Sequence, residues 1–209
     1  NNWISEILEK KGNYGKIISK KKEQIIIDTF NANTFKTLHV GHLRMIVGGN
    51  AIDRLLEFSG KEPISVYYGG DVGTHVAKWY WYYSKFLLPA EQKIPQKDIA
   101  KWFGQIYLKA GEKAKELPDS TKEINDIQKQ ILTDSKLQEE IKALRDESFN
   151  AYMKVKEELE INLKDKIFES ETEKKFLEIK DKLFSDYKDL FKESQDAVIA
   201  DLKEQKLDV

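Results

Sequence analysis

The sequence predicts an α/β fold in which a block of helices interrupts a parallel sheet. Strand-like and helix-like segments alternate over the first 89 residues, and strands separated by helices form parallel sheets. From about residue 96 to residue 159 almost every residue is a helix former. Strand character returns at 166–168 and again at 197–200, so we expect the chain to rejoin the sheet after the helical block.

The individual elements follow from hydrophobic periodicity and from residues that start or end helices. In chain order they are a helix at 3–10, a basic loop at 12–22, a strand at 24–28, a loop at 29–41, a helix at 43–58, a strand at 63–68, an aromatic-rich helix from Thr74, helices between 96 and 159 with breaks at 118–119 and 133–135, and a helix at 171–184.

Three local features refine these predictions. The β-branched residues of the first strand favour burial on both faces of a parallel sheet. Gly60 is expected to end the helix at 43–58 as a C-cap, and Thr74 to N-cap the next helix. The helix at 43–58 carries a broad apolar stripe, formed by Leu43, Val47, Ile52, Leu55, Leu56 and Phe58.

Composition excludes several classes of protein. With 35 basic and 36 acidic residues, net charge favours no polyanionic partner, and without cysteine there can be no disulfide or thiolate metal site. No apolar run approaches the roughly 20 residues of a membrane span, and the first residues do not form a signal peptide. We therefore expect a cytoplasmic protein without a membrane partner. Because the chain lacks an initiator Met, we also expect it to be part of a longer protein.

All three histidines lie at 39, 42 and 75, and two of them form the pattern His39-Val-Gly41-His42 between a strand and a helix. The N-terminus of a helix attracts phosphate, and imidazoles can donate hydrogen bonds to phosphate oxygens. Gly41 leaves room for a nucleotide near the backbone, and Lys36 adds a cation upstream. The alternative is a pair of histidines that only cap the helix.

The residues around this turn resemble the adenylate-binding loop of class I arginyl-tRNA synthetases. Asp28 stands at the family's acidic position, Asn33 at its binding asparagine and Lys36 at its lysine, and the segment Leu38 to Arg44 matches throughout. Thr34 and Thr37 replace two prolines, while Asn31 and Ala32 stand where Ser and Pro or Ala are usual.

Later segments match the same family in the same order. The segment 66–75 is similar to the signature Tyr-Tyr-x-Asn-Asp-x-Gly-x-Gln: Asp71 and Gly73 match, whereas Gly70 and His75 replace the usual Asn and Gln. Residues 159–171 and 196–199 resemble two further family segments, with Lys164 where an Asp is usual.

The resemblance implies a Rossmann-like sheet divided by a connective insertion. Residues 1–89 would form the N-terminal half of the nucleotide-binding catalytic domain, residues 90–160 the helical insertion, and residues 161–209 a truncated return to the catalytic sheet. The second half of that sheet and the anticodon-binding domain are not in this sequence. We therefore expect these residues alone to be weakly active or inactive.

The resemblance also implies an arginine–tRNA ligase, which forms arginyl-adenylate from ATP and L-arginine and transfers arginine to the 3′ end of arginine tRNA. His39, Gly41, His42 and Lys36 would hold the ATP phosphates, which Mg²⁺ would neutralise without protein ligands of its own. Asp28 would face the guanidinium group, since a planar cation with five donors calls for a carboxylate. The expected arginine-binding residues are Asp28, Asn31, Ala32, Asn33 and His42.

Two residues of the second signature are expected only at the pocket wall. Asp71, between two glycines, is typical of a turn former, and His75 of either a pocket wall or a plain surface position.

Simpler interpretations stay open for the other residues. Asp28 could only cap a turn, Asn33 could form an Asx-turn, and Lys36 could be solvated. The aromatic cluster 79–83 favours a core over a stacking platform for nucleic acid, and the basic loop favours solvent over tRNA phosphates.

Two other functions remain as alternatives. One is a nucleotidyltransferase that uses the same histidine turn on another acid, and the other is a non-catalytic paralogue, for which Gly70, His75 and Lys164 argue. As is usual in the family, we expect a monomer.

Overall fold

The computed structural model describes residues 2–187, 190–194 and 197–200. The chain forms two compact units, Asn1–Glu169 and Ser170–Val209. The elements are α1 (Asn2–Lys10), a 3₁₀ turn (Lys11–Asn13), β1 (Gln24–Phe30), α2 (Val40–Phe58), β2 (Glu62–Gly69), α3 (Thr74–Phe86), α4 (Ile99–Glu116), α5 (Ser120–Thr133), α6 (Ser135–Glu158), β3 (Leu163–Phe168), α7 (Glu169–Asp186), β4 (Phe191–Ser194) and β5 (Ala197–Ala200).

The first unit contains the predicted parallel sheet. Its strand order is β1-β2-β3, and both neighbouring pairs are parallel, with Asp28 opposite Val66 and Tyr67 opposite Lys166. The α/β prediction is therefore confirmed. The expected burial of β1 on both faces is wrong: the face that carries Gln24, Ile26 and Asp28 is exposed, with Ile26 at 73%.

Two predicted helix boundaries need correction. α2 begins at Val40 rather than at residue 43, because the side chain of His39 caps it. The N-cap of α3 is Gly73 rather than Thr74, and no side chain bonds there. Gly73 has a φ of +91°, which favours glycine, while the Thr74 hydroxyl donates to Oε1 of Gln128 at 3.0 Å.

Gly60 ends α2 as predicted. Its φ is +80°, its N–H bonds to the carbonyl of Glu57, and the N–H of Lys61 bonds to the carbonyl of Leu56. This is the double hydrogen bond of a Schellman motif.

Two apolar clusters form the interior of the first unit. One lies among α3, α4, α5 and α6 and contains Trp79 and Trp81, so the prediction of a core role for the aromatic cluster is confirmed. Each indole N–H has an acceptor: the Phe103 carbonyl for Trp79 and the Glu123 carboxylate for Trp81. The other cluster joins the sheet to α6.

The second unit contains α7 and a two-stranded antiparallel sheet. β5 lies where strand character was predicted, but it pairs antiparallel with β4. The Phe184 and Phe191 rings lie 5.5 Å apart. The family resemblance at Asp196 and the last nine residues, 201–209, lie outside the described residues. Within the described part, no helix is both long and apolar enough to cross a membrane.

Candidate active site

The first turn of α2 caps itself with two histidines. Nδ1 of His39 accepts a hydrogen bond from the Gly41 N–H at 3.1 Å, and Nδ1 of His42 accepts one from the His39 N–H at 3.2 Å. The two imidazole rings stack with their centroids 3.8 Å apart. This reciprocal arrangement is a capping box built from imidazoles.

The capping bonds determine where the imidazole protons lie. A ring nitrogen that accepts a hydrogen bond carries no proton, so each neutral ring has its proton on Nε2. Within the described part of the chain neither Nε2 bonds to another residue. Burial, followed by the charges of His39 and Lys36, lowers the pKa of His42, which favours its neutral form. The turn therefore presents two neutral N–H donors.

Gly41 is required by the cap itself. A Cβ atom at this position would stand 2.9 Å from Cε1 of His39, closer than such contacts occur. The sequence predicts that Gly41 leaves space for a nucleotide. The cap gives a second reason for a glycine at this position.

Two tyrosine hydroxyls fix the backbone of the loop before α2. Tyr67 of β2 donates to the carbonyl of Ala32 at 2.7 Å. The hydroxyl of Tyr152 of α6 lies 3.0 Å from the carbonyl of Asn33 and 2.6 Å from that of Lys36. Three residues of the candidate site are therefore held by buried side chains from elsewhere in the fold.

Phe35 anchors the middle of the same loop. Its side chain is fully buried against Trp79, with ring centroids 5.0 Å apart, although its φ is +63°. Its N–H donates to Oγ of Ser148 at 2.9 Å. A non-glycine residue keeps such a backbone conformation only where its surroundings impose it.

The carbonyl of Gly70 joins the two signature segments. It accepts from the N–H of Thr34 at 3.0 Å and from its hydroxyl at 3.1 Å, and Nε2 of His75 lies 3.3 Å away. Because a carbonyl only accepts, this Nε2 carries the proton. A Cβ at Gly70 would stand 2.6 Å from Oδ1 of Asn33. Thr34 and His75, which both depart from the family pattern, thus contact the carbonyl of a third such residue, Gly70.

His75 is largely withdrawn from solvent beside this carbonyl. Burial and then the charge of Lys36 lower its pKa to about 4, against the opposing effect of the hydrogen bond to Gly70. The ring is therefore neutral at physiological pH.

Asp28 lies inside β1, two residues before the strand ends, rather than at the strand end expected from the sequence. Its side chain is exposed, and Oδ2 accepts from Nδ2 of Asn31 at 3.1 Å. One Asn31 donor thus orients an accessible carboxylate.

Asp71 is only 4% exposed and pairs with Arg145 of α6 at 2.9 Å. The guanidinium group also lies 3.9 Å from the centroid of the Phe168 ring and bonds to Asp146. Asp71 therefore ties the second signature to α6.

Sequence reasoning did not find the supporting residues on α6, which are Arg145, Ser148 and Tyr152. Their spacing of three and four places them on one helix face. That face also carries buried apolar residues, so three polar side chains within an apolar stripe were the available signal.

Comparison with known proteins identifies the family. The model for "tRNA synthetases class I (R), catalytic domain" matches residues 3–208. The arginine–tRNA ligase of Enterococcus faecalis is 31% identical over 205 residues, which cover 98% of this chain and 36% of that protein. The ligase of Clostridioides difficile is 27% identical over 208 residues, covering 98% and 35%.

Solved structures show the same fold. Arginyl-tRNA synthetase from Plasmodium falciparum superimposes with a TM-score of 0.61 at 22% identity, covering 94% of this chain and 34% of that one. The enzyme from Thermus thermophilus gives 0.57 at 22% identity, covering 79% and 27%. The chain spans about a third of the two curated relatives that it matches along nearly its whole length. Since the family model covers residues 3–208, the chain belongs to the family of class I (R) tRNA synthetase catalytic domains.

Proposed function

We propose that this chain is part of the catalytic domain of an arginine–tRNA ligase, which activates L-arginine with ATP and transfers it to arginine tRNA. One observation carries the proposal: the two signature segments follow neighbouring parallel strands and bond to each other through Thr34 and Gly70. Ligands of open α/β sheets bind outside the carboxyl ends of the strands, where both segments lie.

The histidine turn suits the activation step. A carboxylate oxygen of arginine attacks the α-phosphorus of ATP, the bond to pyrophosphate breaks, and arginyl-adenylate forms. Negative charge grows on the phosphate oxygens during this step, and Nε2–H donors fixed beforehand stabilise it without reorganisation. The capping bonds of His39 and His42 supply two such donors. Lys36 adds a positive charge close enough to lower the pKa of His42.

The arginine side chain would meet Asp28. Its carboxylate is exposed and oriented by Asn31, as a guanidinium partner requires. The amide of Asn33, packed against Gly70, would orient the α-amino or carboxylate group of arginine.

Mg²⁺ would enter with ATP. Its ligands would be phosphate oxygens of ATP, since the described residues include no group of three or more His, Asp or Glu side chains that could hold a metal ion. When bound, the ion neutralises charge on the phosphates.

We further propose that residues 90–160 are a connective insertion, that residues 161–209 return to the catalytic part, and that the protein acts as a cytoplasmic monomer. In this account the 209 residues alone are weakly active or inactive, because they span only about a third of the relatives.

ATP–pyrophosphate exchange on the complete gene product tests the proposal, with each amino acid in turn and with or without tRNA. We expect exchange with arginine and with no other amino acid. Asp28→Asn should lower exchange by at least tenfold, mainly through the KM for arginine, because the charge-assisted hydrogen bonds between the carboxylate and the guanidinium group are lost. The exposed Asp165→Asn on β3 is the matched control and should change little.

Other outcomes point to the alternatives. Exchange with another acid, unaffected by Asp28→Asn, would indicate a different nucleotidyltransferase. No exchange with any amino acid, with tRNA present, would indicate a non-catalytic paralogue.

A further inference from the structure

Two lysine ammonium groups lie against one tyrosine ring beside the candidate nucleotide site. Nζ of Lys36 is 5.1 Å from the centroid of the Tyr107 ring, and Nζ of Lys78 is 4.6 Å from it. The two nitrogen atoms are therefore no more than about 10 Å apart. Lys78 and Tyr107 have no part in the site as described so far.

Three segments of the fold bring these groups together. Lys36 belongs to the loop before α2, where the Tyr152 hydroxyl fixes its carbonyl at 2.6 Å. Lys78 belongs to α3, and its Nζ would lie 3.9 Å from a Cβ placed on Gly111 of α4. Gly111 and Tyr107 are one turn apart on α4 and share a face. Lys78 thus extends along that face to the Tyr107 ring.

Among the described residues, no acidic side chain forms an ion pair with either lysine. In the part of the chain that the structure describes, neither lysine has a carboxylate within 4.0 Å, whereas Lys85 of the same helix pairs with Glu123 at 2.6 Å. At exposed sites a tyrosine ring attracts a cation only weakly, so it does not replace a counter-ion. Both charges also reach His75 and lower its pKa.

We propose that Lys78 and Lys36, held on the Tyr107 ring, bind the terminal phosphates of ATP and the pyrophosphate that leaves. Lys78 is the new binding residue and Tyr107 a positioning residue that sets the distance between the two cations. Linked phosphates, unlike a single phosphate, are long enough to contact both ammonium groups, which lie no more than about 10 Å apart. This inference rests on the proposed nucleotide site.

Binding of inorganic tripolyphosphate to the 209-residue chain, measured by calorimetry at low salt, tests it. We expect Lys78→Gln to weaken binding about tenfold, the usual scale for one charge-assisted contact. Lys85→Gln is the matched control on the same helix, and it should change binding by less than about twofold because its charge already pairs with Glu123.

Further variants separate a binding role from a structural one. Lys78→Arg should keep most of the affinity, Tyr107→Phe should keep it because the ring remains, and Tyr107→Leu should lose it at an unchanged thermal midpoint. Equal losses for Lys78→Gln and Lys85→Gln would overturn the proposal. So would failure of the wild-type chain to bind at millimolar tripolyphosphate.

The source of the phosphates is tested in the same titration. For AMP, Lys78→Gln should have little effect, because AMP lacks the terminal phosphates. A tenfold loss for a short single-stranded RNA, with none for tripolyphosphate, would assign Lys78 to RNA and contradict the proposal. Tripolyphosphate binding with no arginine-dependent exchange would refute only the proposed ligase function. Arginine-dependent exchange with no tripolyphosphate binding would refute only this inference.

Discussion

Helices α2 and α3 each follow a strand of the same parallel pair, yet they begin in opposite ways. α2 caps itself with His39 and His42, both within its first turn. α3 begins at Gly73 without a side-chain cap, and the turn before it is held by the buried Asp71–Arg145 pair and the Gly70 carbonyl. A helix start built from its own residues can remain open and offer polar atoms to a ligand. At α3, residues distant in sequence hold the turn before the helix, and Asp71 of that turn is buried.

The two helices also differ in how much of their apolar surface is buried after the first turn. On α3 the two tryptophans, Trp79 and Trp81, are buried. On α2 most of the apolar stripe is exposed, with Leu55 at 68%, and the helix meets the sheet partly through polar atoms. Asp53 of α2 accepts from the Ser65 hydroxyl at 2.7 Å, and Thr29 of β1 donates to the same hydroxyl at 2.9 Å. An apolar stripe therefore predicts a helix without predicting which face is covered.

The largest expected effect comes from emptying the core around α3. Trp79→Ala should lower the free energy of unfolding by about 4 kcal/mol, because it removes a fully buried indole and leaves the Phe103 carbonyl without its donor. Leu55→Ala on α2 should change it by less than about 0.5 kcal/mol. Urea unfolding measures both, and similar losses would break the contrast between the helices.

The next effect concerns the anchor of the turn before α3. Arg145→Ala should cost about 3 kcal/mol, because it removes the guanidinium from a buried carboxylate. Arg54→Ala is the control, since its contact with Glu160 is exposed and weak. If thermal unfolding showed the two variants to be equally stable, the buried pair would not be an anchor.

A third effect depends on pH. The pKa of His75 is about 4 in the fold and near 6.5 when unfolded, so the unfolded chain binds the proton first as pH falls. The stabilisation is complete above pH 6.5 and declines towards pH 4, by at most about 3 kcal/mol. His75→Gln should remove this component, seen as a flatter curve of stability against pH. An unchanged curve would contradict the burial of a neutral ring.

The smallest effect on stability falls on the self-capped start. His39→Ala should cost about 1 kcal/mol, the usual value of an N-cap. In the complete gene product the same variant should lower ATP–pyrophosphate exchange by more than about a hundredfold, since a preorganised donor to the transition state is lost. His39→Asn, which can still cap, should restore stability without restoring exchange.

The local features of this structure could be predicted from the sequence. The spacing of His39 and His42 by three residues, with Gly41 between them, indicated both a helix cap and a phosphate-binding turn. The order of strands and helices in the first unit also followed from periodicity. Boundaries such as Thr74 failed because the Gly73 backbone conformation, rather than a hydroxyl, sets the start of α3.

The non-local parts could not be predicted in that way. Tyr152 reaches the carbonyl of Lys36 across 116 residues of sequence, and Tyr107 meets Lys36 and Lys78 from a helix in another segment. No periodicity links such residues, because their contact depends on how α4 packs on α3 and how α6 packs on the sheet. The contacts of Thr34 and His75 with Gly70 could not be predicted for the same reason, although all three residues depart from the family pattern.

The central claim is that the exposed start of α2 presents two neutral Nε2–H donors to ATP phosphates. Nitrogen NMR of the imidazoles tests it directly, because the chain contains only three histidines. At neutral pH we predict protonated Nε2 and unprotonated Nδ1 in His39 and His42, with both Nε2 resonances shifted by ATP. Protonated Nδ1 in either residue, or ATP binding that leaves both resonances in place, would contradict the claim.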